Sequence, residues 1–376
     1  MEIKALKDIC QIIAGQSPPS DTYNQEQDGM PFFQGKADFG DLYPTVRYWC
    51  NAPKKLSKPN DILFSLRAPV GPTNVNNIDA CIGRGLAAIR CEDVQLKYLL
   101  HYLRGNEHKI AALGTGSTFK AVTIGTLKDL EIPLPPLEEQ KKIAAILDAA
   151  DNYRHKTKAL IDKYDQLSQS LFLDMFGDPV TNPKGWDKSL IRNVAEAKNG
   201  YAFKSTDYLE KGVPLIRMSN FNNGPVEIKD TIKVSNVFLE SRKNFILQNN
   251  DFVIALSGAT TGKYGIYQHD FPSLLNQRIG LIRAKPVVSV TYLHEFLKLK
   301  SNEIFKMAAG AAQPNVSLKE IQEITIPVPP LYLQNRFATS LNNIKSQKQQ
   351  AEASLVKAED LFNSLLQRAF KGELTN

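Results

Sequence analysis

Residues 127–147 read LKDLEIPLPPLEEQKKIAAIL, and residues 321–341 read IQEITIPVPPLYLQNRFATSL. Ile132, Pro133, Pro135, Pro136, Leu137, Gln140 and Leu147 recur as Ile326, Pro327, Pro329, Pro330, Leu331, Gln334 and Leu341, all at one offset of 194. Further on, Leu167, Ser170 and Leu171 recur as Leu361, Ser364 and Leu365 at the same offset. The period is close to half of the 376 residues. Each half thus closes on a strand, a proline stop and a long helix. The pattern predicts two domains in tandem, related by a pseudo-two-fold axis. Two similar surfaces imply a target with two parts.

The junction reads as a strand end because proline cannot donate a ladder hydrogen bond. Glu138 and Glu139 then suit the positive end of a helix dipole. Ile143, Leu147, Ala150, Thr157, Ile161, Tyr164, Leu171 and Met175 follow alternating steps of four and three, interrupted by Arg154 and Ser168. Phe337, Leu341, Ile344, Ala351, Leu355, Ala358, Phe362, Leu365 and Ala369 do the same, interrupted by Lys348. Such heptad seams predict two helices paired antiparallel as a coiled coil. The first helix, running to Met175, would be about 58 Å long. Phe176-Gly-Asp-Pro is its stop signal. The alternative partners for each stripe are its own domain or another chain.

Residues 1–136 and 178–330 read as mixed α/β domains, with short apolar runs cut by Gly, Pro, Asn and Asp. Asp61-Ile-Leu-Phe-Ser-Leu and Asp251-Phe-Val-Ile-Ala-Leu are matched strand candidates, each preceded by Asn. Ala87-Ala-Ile-Arg and Leu281-Ile-Arg are a second pair, and helices are expected over 95–103 and 291–299. The fold class is therefore α+β, with boundaries at 1–136, 137–177, 178–330 and 331–376.

No run of 18 apolar residues is available to span a membrane, and the N-terminus lacks a secretory h-region, so a cytoplasmic location is expected. Cys10, Cys50, Cys81 and Cys91 show neither CxxC spacing nor histidine partners, and read as reduced, buried thiols. The net charge is +7, and residues 178–330 hold 19 basic against 14 acidic side chains. That admits a polyanionic partner without requiring one.

The IPLPPLEEQKKIA segment, its second copy, the FKAVTIGTLKDLEIP lead-in and the order domain–helix–domain–helix resemble the specificity subunits of type I restriction–modification systems. The resemblance covers the whole chain. It implies that each globular domain is a target recognition domain reading one half of a split DNA site, and that the helices set the spacing. It also implies docking of two adenine methyltransferase subunits, with restriction subunits able to join. Pro135, Pro136, Leu137 and Gln140, with Pro329, Pro330, Leu331 and Gln334, are the expected docking residues. No cofactor is expected on this chain; S-adenosylmethionine, ATP and magnesium would belong to partner subunits. At the second junction Tyr332 and Leu333 replace the acidic pair.

Catalytic signatures are missing. No Pro-Pro pair is followed by an aromatic, as the target-base turn of an amino-methyltransferase requires. There is no GxxxxGK[ST] loop, and Gly83-Arg-Gly-Leu-Ala-Ala lacks the GxGxxG pattern. Five scattered histidines sit beside no nucleophile. The reading is a non-catalytic recognition protein. The competing readings are a self-contained methyltransferase or nuclease, and a stand-alone DNA-binding protein.

Base edges are read by Arg, Asn and Gln, and phosphates by Lys, Arg, Ser and Thr, on loops that enter a groove. In the first domain the candidates are Gln34, Lys36, Arg67, Arg84, Ser117, Thr118 and Lys120. In the second they are Lys204, Arg217, Asn220, Ser257, Thr260, Thr261, Lys263, Asn276, Gln277, Arg278, Gln313 and Asn315. Arg84 and Arg278, again 194 apart, are expected to share one role.

Overall fold

The structure is a computed structural model that describes residues 2–115, 121–308 and 315–374. It divides into two compact units, Met1–Leu160 with Ala351–Asn376, and Ile161–Gln350. The division falls inside both long helices, Leu137–Phe176 and Leu331–Lys371, not at their ends. Each unit is one mixed α/β domain joined to half of each helix.

Among the described residues, the first unit holds a four-stranded sheet ordered Cys10–Ala14, Leu86–Cys91, Ile62–Ser65, Thr73–Val75. Its second sheet is ordered Tyr23–Asn24, Tyr48–Cys50, Met30–Phe33, Ala80–Ile82, Leu56–Ser57. The second unit repeats both sheets. One is ordered Ala195–Asn199, Ile279–Ala284, Phe252–Ala255, Tyr264–Ile266, Gly224–Pro225. The other is ordered Tyr208–Leu209, Lys233–Val234, Val213–Ile216, Ser273–Leu275, Ile246–Leu247.

The matching strands share their local chemistry. Asn60 and Asn250 both take left-handed φ, 70° and 71°, a conformation that asparagine tolerates. The next residue, Asp61 or Asp251, is buried and bonds an arginine on the neighbouring strand through two hydrogen bonds. Arg90 reaches Asp61 at 2.9 and 2.8 Å, and Arg283 reaches Asp251 at 2.7 and 2.7 Å. That hydrogen bonding holds both guanidiniums above their ordinary pKa. Gly15 and Gly200 are equivalent as well: a Cβ would lie 2.2 Å from the carbonyl oxygen of Gly83 or of Asn276. No other residue fits such an approach.

Each junction is built alike. The strand Glu131–Leu134 pairs with Glu2–Ala5, and Thr325–Pro327 pairs with Lys188–Leu190. Tyr98 and Tyr292 donate to the carbonyls of Pro133 and Pro327 at 2.6 and 2.7 Å. Gln140 and Gln334 lie inside the protein, not on a docking face. Gln140 donates to Pro135 O at 2.8 Å and accepts from Gln95 N at 2.8 Å; Gln334 does the same with Pro329 O at 2.7 Å and Ser289 N at 2.8 Å. Pro135 and Pro329 are buried beside them. The expectation that these four dock a partner is therefore corrected: their polar atoms and surfaces are already used in the fold. Pro136, Leu137, Pro330 and Leu331 remain exposed.

The long helices share the cores. In the first unit Ile143, Ala144 and Leu147 join Phe362 and Ala369 in one buried cluster, and the Arg154 guanidinium lies 4.5 Å over the Phe362 ring. In the second unit Phe172 and Phe176 surround Phe337 and Tyr292 at centroid distances of 4.8 to 5.6 Å. Within that unit the helices run in opposite directions, since Asp165 pairs with Lys348 and Phe176 with Phe337. The two ends correspond at the offset of 194: Tyr98 packs on Phe370 as Tyr292 packs on Phe176. Burying each such aromatic contributes roughly 1.5–3 kcal/mol.

The helix expected over 95–103 is found at Leu96–Gly105, and the one expected over 291–299 runs on to Ala308. The chain forms Leu96–Gly105 and then Glu107–Ala112, whereas Val290–Ala308 is continuous. Gly105 has low helix propensity, and the Asn106 side chain donates to Tyr102 O at 2.9 Å, so the first copy breaks there. Among the described residues no helix is long and apolar enough to cross a membrane.

Candidate nucleic-acid interface

The strands of the four-stranded sheet are anchored at one end by Asp61–Arg90. Their opposite ends open into loops. There Leu66 N donates to Gly85 O at 2.9 Å, Val122 N to Leu66 O at 2.9 Å, and Gly83 N to Phe33 O at 2.8 Å. These three bonds tie together the loops carrying Gln34, Arg67 and Arg84. The result is a cleft of about 860 Å³ lined by Gln34, Lys36, Arg67 and Arg84, together with Ser17, Tyr23, Asp38 and Arg47. All four described candidates of the first domain meet in it, and all four are exposed. Ser117, Thr118 and Lys120 lie outside the described residues.

The second unit gathers its candidates by equivalent bonds. Asn276 N donates to Ile216 O at 3.0 Å, Leu256 N to Arg278 O at 3.0 Å, and Val316 N to Leu256 O at 2.9 Å. Ser257 bridges Asn315, and the Thr260 hydroxyl reaches Met218 Sδ at 3.4 Å. Arg217, Ser257, Thr260, Asn276, Gln277, Arg278 and Asn315 therefore belong to one end of the domain. Lys263 closes the 257–263 loop by donating its N–H to Thr260 O at 3.0 Å. Lys204 is exposed, one residue before the turn Ser205–Asp207, whose first-unit equivalent is Ser20–Thr22. Gln313 lies outside the described residues.

Two second-domain candidates are corrected. Asn220 is buried; its side chain accepts from Arg217 N at 2.8 Å and donates to Thr231 Oγ1 at 3.0 Å. Thr261 is buried, with its hydroxyl donating to Gly258 O at 2.7 Å. Both shape loops from within.

The pairing of Arg84 with Arg278 is also corrected. Leu86 N donates to Gly83 O, and Ile279 N donates to Asn276 O. The carbonyls that receive Leu66 N and Leu256 N are those of Gly85 and Arg278. Gly85 thus corresponds to Arg278, and Arg84 to Gln277, at an offset of 193. The offset becomes 194 only at the following helix, where Gln95 matches Ser289. One inserted residue separates the two registers, and a chance arginine masked it. The turns Lys36–Asp38 and Met218–Asn220 correspond likewise, so Gly35, the residue before the first turn, matches Arg217.

Arg47 was missed by sequence reasoning. It stands alone before an aromatic strand and belongs to no motif; only its contact with Asp38 brings it into the cleft. Among the described residues no group of three His, Cys, Asp or Glu could hold a metal ion. Cys10 faces Cys91 in register, and the hydrogen bond between them, with burial, pushes the Cys10 thiol up.

Comparison with known proteins bears on this arrangement. The family model for the type I restriction modification DNA specificity domain matches residues 1–163 and again 183–355. The putative type I restriction enzyme MjaX specificity subunit of Methanocaldococcus jannaschii is 47% identical over 167 residues, 43% of this chain and 39% of the relative. The EcoBI specificity subunit of Escherichia coli is 21% identical across 99% of this chain and 85% of its own length. The crystal structure of the S subunit from a type I system of M. genitalium shares the fold, with TM-score 0.62, 18% identity, and coverage of 98% of this chain and 96% of that one. The chain belongs to the family of type I restriction–modification specificity subunits, which recognise DNA sequence, and carries the family's domain twice.

Proposed function

We propose that each unit reads one half of a bipartite DNA target through the loop end of its sheets. The observation that carries this is the convergence of Gln34, Lys36, Arg67 and Arg84 on one cleft, at loops whose counterparts gather Arg217, Ser257 and Gln277. Their donors and acceptors suit base edges and phosphates. The chain itself performs no chemistry. Methyl transfer, with S-adenosylmethionine, belongs to two methyltransferase subunits; ATP and magnesium belong to restriction subunits that join them.

The long helices dock those partners and set the spacer between half-sites. Exposed Ile146, Tyr153 and Leu160 recur every seven residues on the first helix, an apolar stripe suited to a partner helix. Leu137, Leu331 and Tyr332 add exposed apolar surface at the junctions.

The test is co-expression of the full chain with its methyltransferase subunit in a host lacking DNA methylation, followed by mapping of modified adenines. A split motif with a fixed spacer is expected. Lengthening both helices by seven residues, one insertion near Thr157, adds about 10 Å and should change the spacer while leaving the bases alone. An uninterrupted motif, or methylation by the chain without a partner, would overturn the proposal.

A further inference from the structure

Resting on that reading, we infer that Arg47 reads a guanine in the half-site of the first unit, and that Asp38 positions it to do so.

Asp38 is only 1% exposed beneath the cleft. Its Oδ2 accepts from the backbone N–H groups of Gln34 and Gly35 at 2.7 and 3.2 Å. Its Oδ1 accepts from Nε and Nη2 of Arg47 at 2.8 and 2.6 Å. One buried carboxylate therefore fixes both the loop carrying Gln34 and the plane of the guanidinium. The Arg47 side chain stays 47% exposed, and Nη1 has no partner among the described residues. With the Nε edge engaged, the outward edge keeps two parallel N–H donors, one on each terminal nitrogen.

Two parallel donors select one base. In the major groove only guanine offers two adjacent acceptors, O6 and N7; adenine pairs an acceptor with a donor, and thymine offers one acceptor. A phosphate also accepts bidentate donation. Here, however, the Asp38 carboxylate lies against the same guanidinium, offsetting its charge and opposing an approaching anion. A neutral base edge meets no such opposition. The locked side chain also loses little rotamer entropy on binding.

The second unit has the same slot with different contents. Pro31 pairs with Trp49, and Pro214 with Lys233, so Arg47 and Thr231 occupy equivalent positions, each two residues before those partners. Asp38 and Asn220 are equivalent too. The charged contact Asp38–Arg47 becomes the neutral contact Asn220–Thr231. The guanine preference should therefore be confined to one half-site.

The experiment maps modified adenines on a plasmid library of randomised sequence, using the full chain with its methyltransferase subunit, as wild type, Arg47→Ala and Arg47→Lys. Lysine keeps a counter-charge for Asp38 but cannot present two parallel donors. In both variants, preference for guanine at one position of one half-site should fall between about 5-fold and 100-fold, with every other position retained. Unchanged motifs in both variants would overturn the assignment while leaving the bipartite reading intact. Equal loss of methylation at all sequences would mark Arg47 as a phosphate or structural contact, and would also overturn it. A wild type that selects no split motif would refute the reading on which the assignment rests.

Discussion

Replacing Gln140 by alanine tests whether the repeated proline–glutamine junction is an internal clamp. The side chain is 2% exposed and makes two hydrogen bonds, to Pro135 O and from Gln95 N, both at 2.8 Å. Truncation leaves both backbone groups without that partner. The Pro135 carbonyl is buried, and stranding such a group costs about 1–3 kcal/mol. Gln95 is only half-buried, so water can replace part of its bond, and about 1 kcal/mol is appropriate there. The sum is about 2–4 kcal/mol before any cavity cost. Dividing its midpoint by a urea slope of about 2 kcal/mol per molar shifts the unfolding midpoint by about 1.5 M.

The damage should be local. Gln140 belongs to the first unit and Gln334 to the second. Hydrogen exchange should report lost protection in the first unit for Gln140→Ala and in the second for Gln334→Ala. A midpoint shift below about 0.3 M, or exchange spread evenly over both units, would refute the clamp. A stable Gln140→Ala protein that no longer binds its methyltransferase would return the residue to the docking surface.

Other outcomes follow from the same geometry. Burial lowers the pKa of His294 to about 4, with Lys298 and Lys345 assisting against Glu295 and the Asn250 carbonyl. The unfolded chain then binds more protons between about pH 4 and 6.5, so stability is full above that window and falls by about 2–3 kcal/mol on acidification to pH 4.5; His294→Gln should flatten this slope in denaturant titrations. Arg90→Ala strands the Asp61 carboxylate, whose side chain is 2% exposed, and should cost about 3–5 kcal/mol in unfolding experiments without altering the methylated motif. Arg84→Ala should relax one base position of the first half-site and Gln277→Ala one of the second, each by about 1–3 kcal/mol in competition binding to mutated duplexes; an effect of either variant on both half-sites would break the correspondence of the two residues.

The fold was legible where backbone chemistry admits few residues. Proline pairs stop strands, and the segments after them form helices from Leu137 and Leu331. Asn-Asp before an apolar run marked equivalent strands because the left-handed turn and the buried carboxylate each demand a particular side chain. The short helices Ile124–Lys128 and Leu318–Gln322 escaped the reading, although Thr123 caps one and a Ser317–Glu320 capping box opens the other. Hydrogen bonding dissolved part of the candidate site. Asn220, Thr261, Gln140 and Gln334 have side chains suited to recognition, and the same donors and acceptors serve loops and junctions from inside. Arg47 escaped because its placement depends on a carboxylate nine residues away across a strand edge.

Sequence alone overstated the symmetry. The offset is 185 between Gly15 and Gly200, 190 between Asp61 and Asp251, 193 between Arg90 and Arg283, and 194 from the helices onward. Each change falls in a connection between framework elements, where loop length costs little. The framework positions at either side keep their contacts across these changes. The positions at the loop end do not keep their chemistry: Gly35 corresponds to Arg217, Arg84 to Gln277, and the Asp38–Arg47 pair to Asn220–Thr231. A duplicated scaffold that holds its buried contacts while its cleft side chains diverge is what separate readout of two half-sites requires. Stability is carried by the anchored ends of the strands and by the shared helices, so the loop ends are free to differ, and a substitution there should change which bases are chosen before it changes whether the protein folds.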